Sequence, residues 1–151
     1  MSTKSEDAVR CFSTGCNCAQ AVFSAYCLQF GVGKEDALKI STGFGAGMAR
    51  MQEVCGAVTG AIMVIGCAHG MTQAGDTAAK EETYRRVQEF ARLFREKHGA
   101  LTCKELLGCD LNTEEGRKFF EDNDLHNTKC AGFVHEASDI VGQLIPSARE
   151  G

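Results

Sequence analysis

Apolar residues along this chain recur at spacings of three and four, which is the period of an amphipathic α-helix. Alternation of apolar and polar residues, which would indicate strands, is not sustained over useful lengths. We therefore predict an all-α fold, a single-domain helical bundle over residues 1–151 with a Gly-rich loop. The pattern predicts about six or seven helices, at residues 17–30, 34–42, 54–68, 76–98, 102–108, 113–122 and 128–144.

The Gly-rich segment, GFGAGMARMQEVCG, occupies residues 43–56 and is predicted to be a loop with a broken helix. Its glycines allow the backbone to turn or to approach a neighbouring site closely. The apolar helix that follows carries Gly56 and Gly60 on one face, and small residues four apart let another helix come near. Its apolar stretch, residues 54–68, is short for a membrane span, so we predict no membrane insertion.

The helix at residues 76–98 has a predicted buried stripe at spacings of three and four. Charged residues occupy its other positions and are predicted to face solvent. The residues of the stripe are Tyr84, Val87, Ala91 and Phe94.

Composition narrows the classes of function. The net charge is −4, and no cluster of Lys and Arg is large enough to follow a nucleic-acid backbone, so we predict no nucleic-acid partner. The first residues, MSTKSEDAVR, lack the apolar segment of a secretory signal peptide. A cytoplasmic location is therefore expected.

Nine cysteines set this sequence apart. The odd count and the expected compartment argue against a disulfide framework and favour metal binding or redox chemistry, although no CxxC is present. Four of the cysteines fall at or next to predicted helix starts, where free N–H groups and the helix dipole favour thiolate over thiol. We expect these four to meet near the Gly-rich loop; they are Cys18, Cys55, Cys103 and Cys130.

The other cysteines have different expected roles. Cys27 and Cys67 lie late in apolar helices and are predicted to be core residues. Cys11 and Cys16 lie close enough to Cys18 in sequence to be alternative partners in a disulfide or a metal site. Cys109, together with Cys11 and Cys16, is a candidate for an accessory role at the site.

Two further features of the sequence concern the site. His126 lies near Cys130 in the sequence and is a candidate for tuning its site. The GxGxG run at residues 43–47 follows no predicted strand, so it does not indicate a dinucleotide-binding loop.

Several segments resemble the redox-active protein family named after the pattern C_GCAxxG_C_C. They are NCAQAV at 17–22, GFGAGMARMQEVCGAVTGA at 43–61, CKELLG at 103–108 and the late Cys130. The resemblance covers residues from about 11 to 142 and includes the family's CGAxxG motif, here CGAVTG at 55–60. The resemblance implies that the family's signature cysteines are the same four that lie at predicted helix starts, Cys18, Cys55, Cys103 and Cys130.

The resemblance also implies a cofactor. A related domain in certain multihaem cytochromes implies an iron–sulfur role, whereas this chain has no CxxCH and so no c-type haem attachment. Three functions stay open. The signature cysteines hold an iron–sulfur cluster or zinc, or they perform thiol–disulfide chemistry, or the protein is a non-enzymatic metal carrier or a subunit of a redox complex. We expect a redox partner protein and a homodimer.

Overall fold

The computed structural model describes residues 2–146, and in that range the chain is helical with no strand. The all-α class is confirmed, and each predicted helix has a counterpart. None of the helices described is both long enough and apolar enough to cross a membrane. The α-helices are α1 (Lys4–Ser13), α2 (Cys18–Tyr26), α3 (Lys34–Ser41), α4 (Gly56–His69), α5 (Thr77–His98), α6 (Cys103–Leu107), α7 (Glu114–Asp122) and α8 (Ala131–Gln143).

The first helix, α1, was not predicted. Its start is a capping box: the Thr3 side chain accepts a hydrogen bond from the Glu6 N–H, and the Glu6 carboxylate accepts one from the Thr3 N–H. Ala8 and Phe12 are buried, and α1 packs against α2 and α8. The sequence signal was present, since Thr3 and Glu6 precede apolar residues at helical spacing. The omission matters because α1 carries Cys11.

Helix α4 lies at the centre and packs most extensively against α2. A Cβ added at Gly60 would lie 2.7 Å from the carbonyl oxygen of Ala19 and 3.1 Å from the Cβ of Val22. Only glycine therefore allows the two helix backbones to come this close. The close helix approach that was expected from Gly56 and Gly60 is observed.

Helix α5 buries a different stripe from the one predicted. Phe90 and Phe94 are fully buried, whereas Tyr84 is 55% exposed. At 100° per residue, Tyr84 lies roughly 80° around the helix from Phe94 and roughly 120° from Phe90. The predicted stripe was therefore wrong at Tyr84, and it omitted Phe90.

Candidate functional site

An isolated antiparallel bridge brings the segments of Cys55 and Cys103 together, although they are far apart in the sequence. The Cys55 N–H donates to the Leu101 carbonyl at 2.8 Å, and the Cys103 N–H donates to the Glu53 carbonyl at 2.7 Å. Cys103 is then the first residue of α6, and Cys55 directly precedes α4. Two short backbone hydrogen bonds thus place two signature cysteines at the starts of neighbouring helices.

Cys18 opens α2 beside these two residues. Asn17 caps the helix, because its side chain accepts a hydrogen bond from the Gln20 N–H at 2.9 Å. Gly56 is the first residue of α4, which faces α2. A Cβ added at Gly56 would clash with the Cys18 sulfur, which fills the space there. The absence of a side chain at Gly56 therefore lets Cys18 lie next to the start of α4.

The Gly-rich loop folds over this site in an unusual conformation. Residues 46–50 all have positive φ, between 52° and 67°, and four of the five are not glycine. The left-handed region costs such residues about 1–2 kcal/mol each, and strain of this kind clusters at functional sites. A Cβ at Gly47 would lie 2.8 Å from the Cβ of Cys103, so the loop touches the site directly. Its glycine therefore provides the close approach that the sequence predicted.

A buried amide, Gln52, anchors the end of this loop. Its side chain donates to the Cys109 carbonyl at 2.9 Å, accepts from the Leu111 N–H at 2.8 Å, and lies 3.9 Å from the Cys103 sulfur. It is 4% exposed. Sequence reasoning missed Gln52, because all of its partners come from a distant segment and no motif marks it.

Cys130 is placed differently from the prediction. It ends a π-helical turn, His126–Cys130, which runs directly into α8. Its backbone is helical on both sides, so it does not lie at a free helix start. A π-turn inserts an extra residue into a helix and is frequent at functional sites. The prediction that Cys130 occupies a free helix N-terminus was wrong for this reason.

The four signature cysteines line one pocket of about 280 Å³. Most of the residues that line the pocket are apolar. Cys16 and His126 also line it. The His126 ring stacks on Phe12, with centroids 4.1 Å apart. The remaining apolar lining includes Leu106, Leu107, Leu111, Phe120 and Phe133.

The accessory cysteines separate into two kinds. Cys11 and Cys16 form a disulfide, with Cα atoms 5.5 Å apart. Cys109 is a half-buried free thiol and is not among the residues that line the pocket. Cys27 is buried, as a core residue should be, whereas Cys67 is half-buried.

The Cys18 thiol is the most acidic of the set. A hydrogen bond with Cys55 lowers the pKa of Cys18 to about 6, from an ordinary value of 9.0, although burial opposes the shift. Backbone N–H groups of Ala46 and Ala19 and of Cys18 itself also lower it. Two of these amides belong to the start of α2, so the helix-start argument holds at this residue.

The other three signature cysteines behave in the opposite way. The hydrogen bond between Cys55 and Cys18 raises the pKa of Cys55 well above its ordinary value, and burial adds to that effect. Burial raises the pKa of Cys103 to about 11 and that of Cys130 to about 12. The expectation of thiolate at every predicted helix start therefore fails for these three. At Cys55 the main cause is the hydrogen bond to Cys18, and at Cys103 and Cys130 it is desolvation.

The spacing of the sulfurs is wider than one ion requires. Among residues 2–146, no three cysteine sulfurs lie within 4.8 Å of one another. The group that meets this limit, His135, Glu136 and Asp139, lies on α8, where Glu136 pairs with Lys97 at 2.5 Å and His135 with Asp139 at 3.4 Å. Contacts with neighbouring side chains account for that group, and the cysteine pocket remains the candidate site.

Comparison with known proteins gives one result. The family model described as "Putative redox-active protein (C_GCAxxG_C_C)" matches residues 16–144, which is most of the chain. No curated protein and no solved structure matches. The matched range contains all four signature cysteines and the CGAVTG motif. This chain belongs to the C_GCAxxG_C_C family.

Proposed function

We propose that Cys18, Cys55, Cys103 and Cys130 together hold an iron–sulfur cluster, and that the protein takes part in electron transfer. The observation that carries this proposal is that four thiols, contributed by separate segments, line one pocket of about 280 Å³. Thiolates are the usual ligands of such clusters, and four is the usual number.

The spacing of the thiols favours a cluster over zinc. A tetrahedral ion with bonds of about 2.3 Å needs its sulfur ligands about 3.8 Å apart. No three cysteine sulfurs in residues 2–146 lie within 4.8 Å of one another. In a cluster, the ligands bind different irons and are farther apart than on one ion. The donor set and the pocket therefore fit a cluster.

The surroundings of the thiols also suit a bound cationic group. Burial raises the pKa of Cys103 and Cys130, so these thiols are neutral at pH 7 without a positive charge nearby. Iron would favour their thiolate forms, and binding would release protons. When bound, a cluster supplies one-electron transfer, with a potential set by burial and by hydrogen bonds to its sulfurs. Gln52 and the Ala46 N–H are the groups placed to donate those bonds.

Anaerobic reconstitution tests the proposal. Reduced apoprotein is given ferrous iron and sulfide, and the visible sulfur-to-iron absorption is recorded after desalting. We expect Cys103→Ser to lose about tenfold or more of this absorption, since a ligand is removed. Cys109→Ser, a neighbouring free thiol outside the pocket lining, should keep it. Equal absorption in the two variants would contradict the proposal, provided that both retain the wild-type circular dichroism spectrum.

A second function is favoured by a separate observation, the closeness of Cys18 and Cys55: both line the pocket, and the Cys18 sulfur fills the space beside Gly56, the residue after Cys55. A thiol with a pKa of about 6 that lies beside a second thiol has the arrangement of a reactive dithiol. In this function the pair cycles between dithiol and disulfide. Treatment of the apoprotein with glutathione disulfide should give a Cys18–Cys55 disulfide in peptide maps. Recovery of both thiols unmodified would exclude it.

A further inference from the structure

We infer that the Cys11–Cys16 disulfide, called here the outer disulfide, is the intramolecular oxidant of the Cys18/Cys55 pair. The inference rests on the second proposed function, because it requires Cys18 and Cys55 to form a disulfide. It assigns a role to two cysteines that lie outside the four signature positions. It also provides a route by which a disulfide-bearing oxidant in solution acts on the pocket.

The outer disulfide lies at the lining of the pocket and is partly accessible to solvent. Cys16 lines the pocket together with Cys18, which follows it by two residues. Cys11, Cys16 and Cys18 are all half-buried, whereas Cys55 is buried. Cys11 is held by α1, where its sulfur lies 3.7 Å from the Ser24 hydroxyl. One end of the outer disulfide therefore lies at the pocket that the reactive thiols line, and both ends are partly accessible to solvent.

The turn that contains the outer disulfide does not depend on it for its shape. The Cys16 N–H donates to the Cys11 carbonyl at 3.1 Å, and the Thr14 N–H donates to the Arg10 carbonyl at 3.1 Å. Phe12, inside the turn, is 5% exposed and packs in the core. The backbone is thus closed by hydrogen bonds and packing, so the disulfide is free to open while the fold is retained.

The exchange balances without a cofactor. The Cys18 thiolate attacks the Cys16 sulfur, a Cys16–Cys18 bond forms, and Cys11 leaves as a thiolate that takes up a proton. The Cys55 thiol then loses its proton to solvent as it attacks the Cys18 sulfur, and it releases Cys16 as a thiolate, which is protonated in turn. The net result is that Cys18 and Cys55 lose two electrons, which Cys11 and Cys16 gain. Cys11 and Cys16 take up two protons from solvent, to which Cys55 has given one. An external disulfide then reoxidises Cys11 and Cys16 and is itself reduced to two thiols.

Disulfide mapping tests the exchange. Metal-free protein with the outer disulfide intact and the other thiols reduced is incubated without oxygen for hours, then acid-quenched, alkylated and digested. We expect a Cys18–Cys55 disulfide in roughly one-tenth of the protein or more, with an equal amount of newly alkylated Cys11 and Cys16. A smaller fraction would overturn the inference.

Variants separate the steps. Cys109→Ser should leave the yield unchanged, because Cys109 does not line the pocket. Cys55→Ser should stop the exchange at the Cys16–Cys18 bond, so that Cys11 alone becomes newly alkylated. Alkylation of neither outer cysteine in Cys55→Ser, with wild-type circular dichroism, would count against the first step.

The same maps distinguish this inference from the function on which it rests. Cys16→Ser cannot form the outer disulfide, but it retains Cys18 and Cys55. If glutathione disulfide oxidises Cys18 and Cys55 in this variant, and the wild type shows no internal exchange, the inference fails and the second function stands. If glutathione disulfide fails to oxidise the pair in both proteins, both fail. Neither result bears on reconstitution of the reduced protein with iron and sulfide.

Discussion

Cys16 and Cys18 are two residues apart, yet they belong to different chemical environments. Cys16 is paired with Cys11 within one short turn. Cys18 is a free thiol whose partner, Cys55, comes from a distant helix. The comparison teaches that local chain geometry sets the outer disulfide, whereas tertiary contacts between α2, α4 and the Gly-rich loop set the state of the pocket thiols.

The largest expected difference between the two regions is in cluster binding. The double variant Cys18→Ser/Cys55→Ser removes two proposed ligands, so we expect iron and sulfide after reconstitution to fall about tenfold or more. The matched double variant Cys11→Ser/Cys16→Ser leaves all four signature thiols in place and should bind the wild-type amount. Similar losses in both variants would mean that the two regions are not functionally distinct.

The acidity of Cys18 should depend on its partner. In metal-free protein, alkylation of Cys18 by iodoacetamide, followed by mass spectrometry, should rise with a midpoint near pH 6. Cys55→Ala removes the main hydrogen bond and should raise the midpoint by about one unit or more. Cys55→Ser keeps a donor at that place, so its midpoint should stay nearer that of the wild type. An unchanged midpoint in Cys55→Ala would contradict the assigned cause.

This acidity also gives a stability effect with a defined sign. The pKa of Cys18 in the folded protein, about 6, is lower than its ordinary value of 9.0. Ionised Cys18 therefore contributes stability that is fully present above pH 9 and is lost as the pH falls through about 6. Urea unfolding of the reduced wild type and of Cys18→Ser between these pH values should show the wild type losing more stability on acidification.

The pocket also depends on close helix packing, which Gly60 tests. Gly60→Ala places a Cβ against the Ala19 carbonyl, so we expect the free energy of unfolding to fall by about 1–3 kcal/mol. The matched control on the same helix is Gly66→Ala, because a Cβ there meets nothing within 4 Å. That change should instead add about 0.5–1 kcal/mol. If both variants changed the free energy of urea unfolding equally, the close contact between Gly60 and Ala19 would be contradicted.

Loss of the outer disulfide should also have only a small effect on stability. The disulfide closes a loop of only a few residues, for which the loop-entropy model gives about 2 kcal/mol. Hydrogen bonds and the buried Phe12 already hold that turn, so Cys11→Ser/Cys16→Ser should lower the free energy of unfolding by no more than this amount. A large loss of helical signal in this variant would show that the disulfide is structural.

Much of the fold could be predicted from the sequence, because the helices follow local signals. Apolar spacing and caps such as Asp76 and Thr102 located seven helices and the all-α class. Helix α1 was missed because it carries few apolar residues, even though Thr3 and Glu6 mark its start. Tyr84 was assigned to the core because the spacing rule does not tell which of two adjacent stripes faces the interior.

The candidate site was predictable only in part. Helix starts and the family resemblance both selected Cys18, Cys55, Cys103 and Cys130, and the structure brings these residues to one pocket. Their acidity was not predictable, since it depends on burial and on the contact between Cys18 and Cys55. Sequence alone also left open whether Cys11, Cys16 and Cys18 pair as a disulfide or bind metal.

The most direct test of the central claim is the iron and acid-labile sulfide content of the protein purified without oxygen. The account predicts both iron and sulfide bound to the chain, with a visible absorption that disappears when the signature cysteines are replaced. Protein that contains neither iron nor sulfide, and that fails to take them up on anaerobic reconstitution, would contradict the claim that the four cysteines hold a cluster.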